Sequence, residues 1–220
     1  RGNRPWNQLV QRELMPYDAR YGTATPYGKA TPNRRGISVS IARGDNQDTW
    51  SFEMASSVLQ DLTPEGVNNR RNYMCSDAMG QCTLSSLWNG ERKLKVNGGW
   101  RIQHVNRDGT IFEAVSLKSQ LLDLGGTWEV MESLSLLYGV KLIRAVGTEY
   151  LAQRDADFSI TDFDQVALDL MDEFQAMGLQ WNINKQTQAT IQWQHWALND
   201  FSNEQSAMIS RVLFVFKTSF

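Results

Sequence analysis

TDFDQVALDLMDEFQAMG, residues 161–178, is the stretch on which the reading of the second half of the chain turns. Val166, Leu170, Phe174 and Met177 recur near one helical turn apart, Thr161 or Asp162 can cap the first turn, and Gly178 can end the last. The spacing predicts a helix over residues 163–177, with Asp162 and Asp164 favouring its positive amino end. Residues 140–146 before it, and 179–183 and 189–196 after it, read as strands, the last two joined by residues 184–188.

Moving further out, Trp128, Met131, Leu134, Leu137 and Tyr138 repeat at helical spacing between Thr127, a plausible cap, and Gly139, a stop. Residues 117–124 form a shorter helix candidate that ends at Gly125-Gly126. Ile37, Val39 and Ile41 alternate with serines as in a half-buried strand; residues 50–54 are its hairpin partner, unless 54–59 begins a helix. Residues 68–88 carry no strong period and read as irregular, with a short helix near the cysteines. Residues 100–105 face 110–115 across a turn containing Asp108-Gly109, which places Trp100, Ile102 and His104 on one strand face. The final run has Val212, Phe214 and Phe216 on one face and Leu213 and Val215 on the other, the pattern of a central strand or of one that adds to a neighbouring subunit's sheet. The expected fold class is α+β: a predominantly antiparallel sheet with two or three helices and an extended N-terminal arm.

The arm is residues 1–36, and residues 37–220 form a single body with a subdivision near 126 as the alternative. Four of the five prolines lie in the arm, and its seven basic groups, opposed only by Glu13 and Asp18, leave it about +5 while the whole chain is −2. Arg4, Trp6, Arg20, Tyr21, Tyr27, Arg34 and Arg35 are its candidate contact residues. The densest opposite charge lies in residues 149–173, where Asp155, Asp157, Asp162 and Asp164 make a candidate acceptor patch.

Cys75 and Cys82 could close a small disulfide loop or remain free thiols. Neither forms a zinc or nucleophile motif with His104 or His195, and no glycine-rich phosphate loop or serine elbow occurs. No catalytic group, metal or cofactor is therefore expected. Glu129 and Glu132 on one helix face, and Glu113 projecting from a strand beside an aromatic, are the carboxylates a hydrolase reading would use. No apolar run approaches the roughly 18–20 residues of a membrane-spanning helix, so no transmembrane segment is expected, and no leader is apparent at the N-terminus.

These features fit a non-enzymatic structural or assembly subunit of a larger complex, homo-oligomeric or with other protein subunits, in a virion or an extracytoplasmic apparatus. The alternatives are a single-stranded nucleic-acid-binding protein that uses the arm's arginines and aromatics, and a carboxylate-based hydrolase.

Overall fold

A computed structural model describes residues 34–45, 49–63, 70–87, 92–108, 114–157, 160–184 and 186–218. They form one nine-stranded sheet: β1 (Arg34–Gly44), β2 (Trp50–Asp61), β3 (Asn72–Thr83), β4 (Leu94–Arg107), β5 (Val115–Met131), β6 (Leu134–Arg154), β7 (Ile160–Asn182), β8 (Thr187–Asp200) and β9 (Gln205–Thr218). Spatial order follows chain order and every neighbouring pair is antiparallel, so the sheet is a pure meander. The β1–β2, β3–β4, β5–β6 and β7–β8 connections lie at one end, here the lower end; the other four lie at the upper end.

The expected α+β class is thereby corrected to an essentially all-antiparallel β fold. Among the described residues no α-helix occurs, and the only helical element is a 3-10 turn, Leu84–Leu87. Residues 163–177 lie inside β7, and the reason is arithmetic. Positions 166, 170 and 174 are four apart, a spacing that serves a helix of period 3.6 and a strand of period two alike. Leu168 and Ala176 discriminate: with Leu170, Asp172 and Phe174 they alternate as buried residues along β7. The supposed cap residues Thr161 and Asp162 are strand residues, and Gly178 continues the ladder opposite Leu137 and Gln192.

The other two helices fail similarly. Residues 117–124 belong to β5, where Leu117, Ser119 and Asp123 are buried in alternation, and Gly125-Gly126 pass through the strand. Residues 128–138 fold as the end of β5, a two-residue turn at Glu132-Ser133, and the start of β6. Residues 72–83, read as irregular, form β3, a strand of polar and small residues whose alternation is too faint to announce itself. The β4–β5 hairpin exists, with Arg107 opposite Val115 at its closing end, so 100–105 pair with 117–122 and not with 110–115. β1 and β2 do form a hairpin, but Ile37–Ile41 lie opposite residues 54–58 and meet the expected partner 50–54 only at Met54, so 54–59 continues the strand and begins no helix; Trp100, Ile102 and His104 do share a face.

Two apolar clusters organise the packed side. One joins Tyr73, Val105, Val115, Leu117, Ala145, Leu168 and Leu170 across β3–β7 toward the upper end; the other joins Phe174, Ala176, Trp196 and Leu198. Phe174 and Trp196 are directly opposed, with ring centroids 4.8 Å apart. β6 and β7 also run past their neighbours: β5 pairs with β6 only up to Thr148, and β8 meets β7 only from Leu170, so the two strands project at the upper end as a hairpin.

Candidate functional site

Strand geometry sends alternate side chains to opposite faces, so the pairing register assigns the strand residues to one of two surfaces. One surface is bare. It carries Ile37, Val39 and Ile41 of β1; Trp50, Phe52, Met54 and Val58 of β2; Met74 of β3; Trp100 of β4; Leu124 and Trp128 of β5; and Tyr138 of β6. It continues through Met177, Leu179 and Trp181 of β7, Ile191 and Trp193 of β8, and Val212, Phe214 and Phe216 of β9. All are exposed, Phe214 by 80%.

These apolar residues form a bounded band, and Val146, Met171 and Met208 are exposed on the same face above it. Above it on β1–β5 runs a polar row, Arg35, Gln60, Asn72, Asn106 and Ser116, each opposite the next, with Gln60 Nε2 donating to Asn72 Oδ1 at 3.0 Å. On β5–β8 the limit is set by Gln120, by Arg144 paired with Asp169, and by Glu173, Gln175 and His195. His195 Nδ1 lies 2.8 Å from Ser210 Oγ, and its ring stacks on Trp193.

The band is also slanted relative to the hydrogen-bonded rows. The row through Val39, the middle of the apolar triplet on β1, passes Ser56, Ser76, Ile102, Gln120, Arg144, Met171 and Asn199 and reaches β9 at Ser206. The apolar triplet on β9 is centred at Phe214, eight residues further toward the lower end. Eight residues over eight strand steps, at about 3.3 Å per residue and about 4.8 Å per strand, correspond to a lean of about 35°. Along β6 the band runs from Leu134 to Leu142, about 22 Å high once that lean is included.

The opposite surface is covered, and it holds the buried charge. Asp123 and Gln194 are fully buried there, with Gln103, Ser119, Lys141, Asp172 and Gln192 nearly so. Ion pairs occur between adjacent strands: Arg101 Nη2 to Asp77 Oδ2 at 3.2 Å and Lys141 Nζ to Asp123 Oδ2 at 3.2 Å. Toward the upper end Arg71 Nη1 meets Glu149 Oε2 at 2.8 Å, and Arg34 lies 3.7 Å from Asp61 and 3.9 Å from the centre of the Tyr73 ring. Arg211 Nε donates to Gln194 Oε1 at 2.9 Å and its guanidinium sits over Trp196. The side-chain amide of Gln103, the amide nitrogens of Gln192 and Gln194, and Trp196 Nε1 are buried and make no hydrogen bond among the described residues.

The residues singled out from sequence fall differently. Arg4, Trp6, Arg20, Tyr21 and Tyr27 lie outside the described residues, as does Glu113. Arg34 and Arg35 open β1, one on each face, so Arg34 packs on Asp61 and Tyr73 while Arg35 is exposed at the margin of the band. Asp155 and Asp157 are exposed in the β6–β7 turn, where Asp155 Oδ1 accepts from the Asp157 amide; Asp164 is exposed on β7, and Asp162 belongs to the same strand. Cys75 and Cys82 are both free, and the disulfide is ruled out by position: seven residues apart on β3, they lie on opposite faces. Glu129 lies two residues before the end of β5 and Glu132 sits in the following turn, so no helix face unites them.

No cluster of three or more metal-ligating side chains is found among the described residues. None of their helices is long and apolar enough to cross a membrane, a statement that does not bear on strands. The chain matches no protein-family description and no characterised protein.

Proposed function

We propose that this chain forms part of the wall of a membrane-spanning β-barrel, with its bare face against lipid and its covered face toward a polar interior. The inversion of the two faces carries the reading. A sheet built for water buries its apolar side and solvates its polar one; here fully buried Asp123 and Gln194 lie behind a surface that exposes Phe214 by 80%. Packing a second sheet on the bare face would leave the buried ion pairs on the outer side of the sandwich. Lipid on that face accounts for both sides at once.

Three further features support it. Every backbone pairing between neighbours is antiparallel and sequential, the arrangement by which strands satisfy their polar groups without water. A lean of about 35° agrees with the roughly 35–45° tilt of barrel strands, and a height of about 22 Å is close to the roughly 25 Å apolar belt of membrane barrels. Trp50, Trp128 and Trp181 lie at the lower margin of the band, where amphipathic rings favour an interface. The subunit-assembly expectation survives in altered form, as a question of what meets the two edges of the sheet.

The test is lipid contact. Two single-tryptophan variants of the full-length protein, one keeping Trp193 and one keeping Trp196, are reconstituted in vesicles whose acyl chains carry bromine. Trp193 fluorescence is expected to be quenched strongly and that of Trp196 to be nearly unaffected. Equal quenching, or none at Trp193, refutes a lipid-facing bare surface.

A further inference from the structure

The two edges of the sheet point the same way. With eight antiparallel steps between them, β1 and β9 both run from the upper end to the lower end. Joining β9 directly to β1 would therefore make a parallel seam in a sheet that has none. A second copy inserted in the same orientation gives no escape, since its β1 also runs downward. Only an odd number of added strands, beginning with one that runs upward, can meet both edges in the antiparallel manner.

Both edges have the character of unfinished wall. Ser38, Ser40 and Ala42 of β1 are exposed although their parity assigns them to the covered face, and so are Ile209 and Val215 of β9. In the interior strands the same face is buried, as at Gln103, Asp123, Phe174 and Gln194. The apolar band nonetheless reaches each edge intact, at Ile37, Val39 and Ile41 on one side and Val212, Phe214 and Phe216 on the other. Open strand edges are not tolerated in hydrocarbon, where each unpaired amide and carbonyl costs several kcal/mol, so a lipid-facing band that runs to the edge implies a neighbour there.

We infer that β1 and β9 each pair with an upward-running amphipathic strand, one or an odd number in all, supplied by the protein outside β1–β9. Its residues alternate as those of the wall do, apolar at the depth of Val39 and Phe214 on the lipid side and polar or small on the inner side. This rests on the membrane reading above but makes a claim that reading does not need, because a barrel sealed by a parallel β1–β9 seam would quench Trp193 equally well.

The experiment uses the full-length protein in lipid vesicles with Cys75 and Cys82 replaced by serine. Cysteines are placed at equal depth on the two edges, Val39→Cys with Phe214→Cys and Ile41→Cys with Phe216→Cys, and treated with a short thiol-to-thiol cross-linker. Ile191→Cys with Phe214→Cys, a directly opposed pair in the structure, is the positive control. The expected result is efficient cross-linking of the control, none between the edges, and hydrogen exchange at the outer-edge amides of β1 and β9 slowed at least 100-fold relative to unstructured chain. An edge-to-edge cross-link within one molecule establishes a parallel seam and overturns the inference; one confined to dimers assigns the edge to a second copy and overturns it too. Fast exchange at either edge does the same by leaving that edge open. Loss of Trp193 quenching removes the membrane reading instead, so the two failures are told apart.

Discussion

Asp123 and Phe214 lie on opposite faces of the same sheet: the carboxylate is fully buried and the phenyl ring four-fifths exposed. On the reading proposed above, the two faces meet different solvents. On the covered face charges are held by partners on the next strand, Asp77 with Arg101 and Asp123 with Lys141. On the bare face charge lies outside the apolar band, as at Arg35, Arg43, Glu173 and the Arg144–Asp169 pair, while the band itself is aliphatic, aromatic or small.

The sharpest way to break this contrast is to leave a covered charge alone. Lys141→Met removes the ion-pair partner of Asp123 and is expected to destabilise the folded protein by about 3–5 kcal/mol, whereas Lys141→Met combined with Asp123→Leu recovers most of the loss. Denaturant unfolding of the reconstituted protein measures both, and a double variant no better than the single would show that the pair is not acting as a unit. Next comes the reverse insult. Ile191→Arg puts a cation in the middle of the bare band and is expected to cost about 2–4 kcal/mol in a bilayer, the range for a cation at the midplane of a lipid-facing barrel surface. If the same change is neutral in lipid, the band does not face hydrocarbon.

A smaller effect concerns the backbone on which both faces depend. Gly147 has φ of +143°, and a Cβ placed there would come within 1.9 Å of the Ser116 carbonyl oxygen. Gly147→Ala is expected to cost about 1–3 kcal/mol in strain and to raise hydrogen exchange across the Leu117–Gly147 pairing; unchanged exchange would mean that the β5–β6 ladder adjusts freely. The smallest lies beyond the band. At Asp45 a slight desolvation pushes the carboxyl pKa up, but hydrogen bonds from Thr49 and Trp50 outweigh it and hold the value below the ordinary aspartate range. A depressed folded pKa gives a contribution present above the unfolded value and lost as pH falls through the folded one. The Asp45 turn is thus expected to loosen only on the acid side of about 3.9, as followed by the Thr49 amide resonance, and Asp45→Asn should abolish that step.

How far the chain could be read in advance depended on whether its apolar spacing was ambiguous. Whereas β2 stayed open between a strand and a helix start at 54–59, β1 and β4 were legible because Ile37, Val39 and Ile41, and Trp100 and Ile102, alternate with polar residues. β7 was not, because Val166, Leu170 and Phe174 fit both periods, and the residue that breaks the helical pattern, Asp172, is buried in a place where a charge is not sought. The same inversion hid the site. A membrane strand of about 10 residues with every second position apolar gives a much weaker signal than a spanning helix, and the uninterrupted apolar run used to look for a spanning segment cannot detect it. Val212, Phe214 and Phe216 against Leu213 and Val215 came nearest, since they already marked the last strand as lying between two environments. The pairing of Asp123 with Lys141 had no local signature, because the two residues, 18 positions apart, become neighbours only once the β5–β6 turn is placed.

If the sheet is the barrel wall proposed above, the lean of the band sets how much wall the nine strands supply. A strand inclined by about 35° occupies about 5.8 Å of circumference where an upright one would take about 4.8 Å. Nine of them therefore account for about 52 Å of perimeter by the same geometry. In the barrel proposed above, the hairpin of β6 and β7 would raise one sector of the upper rim, bearing Asp155 and Asp157.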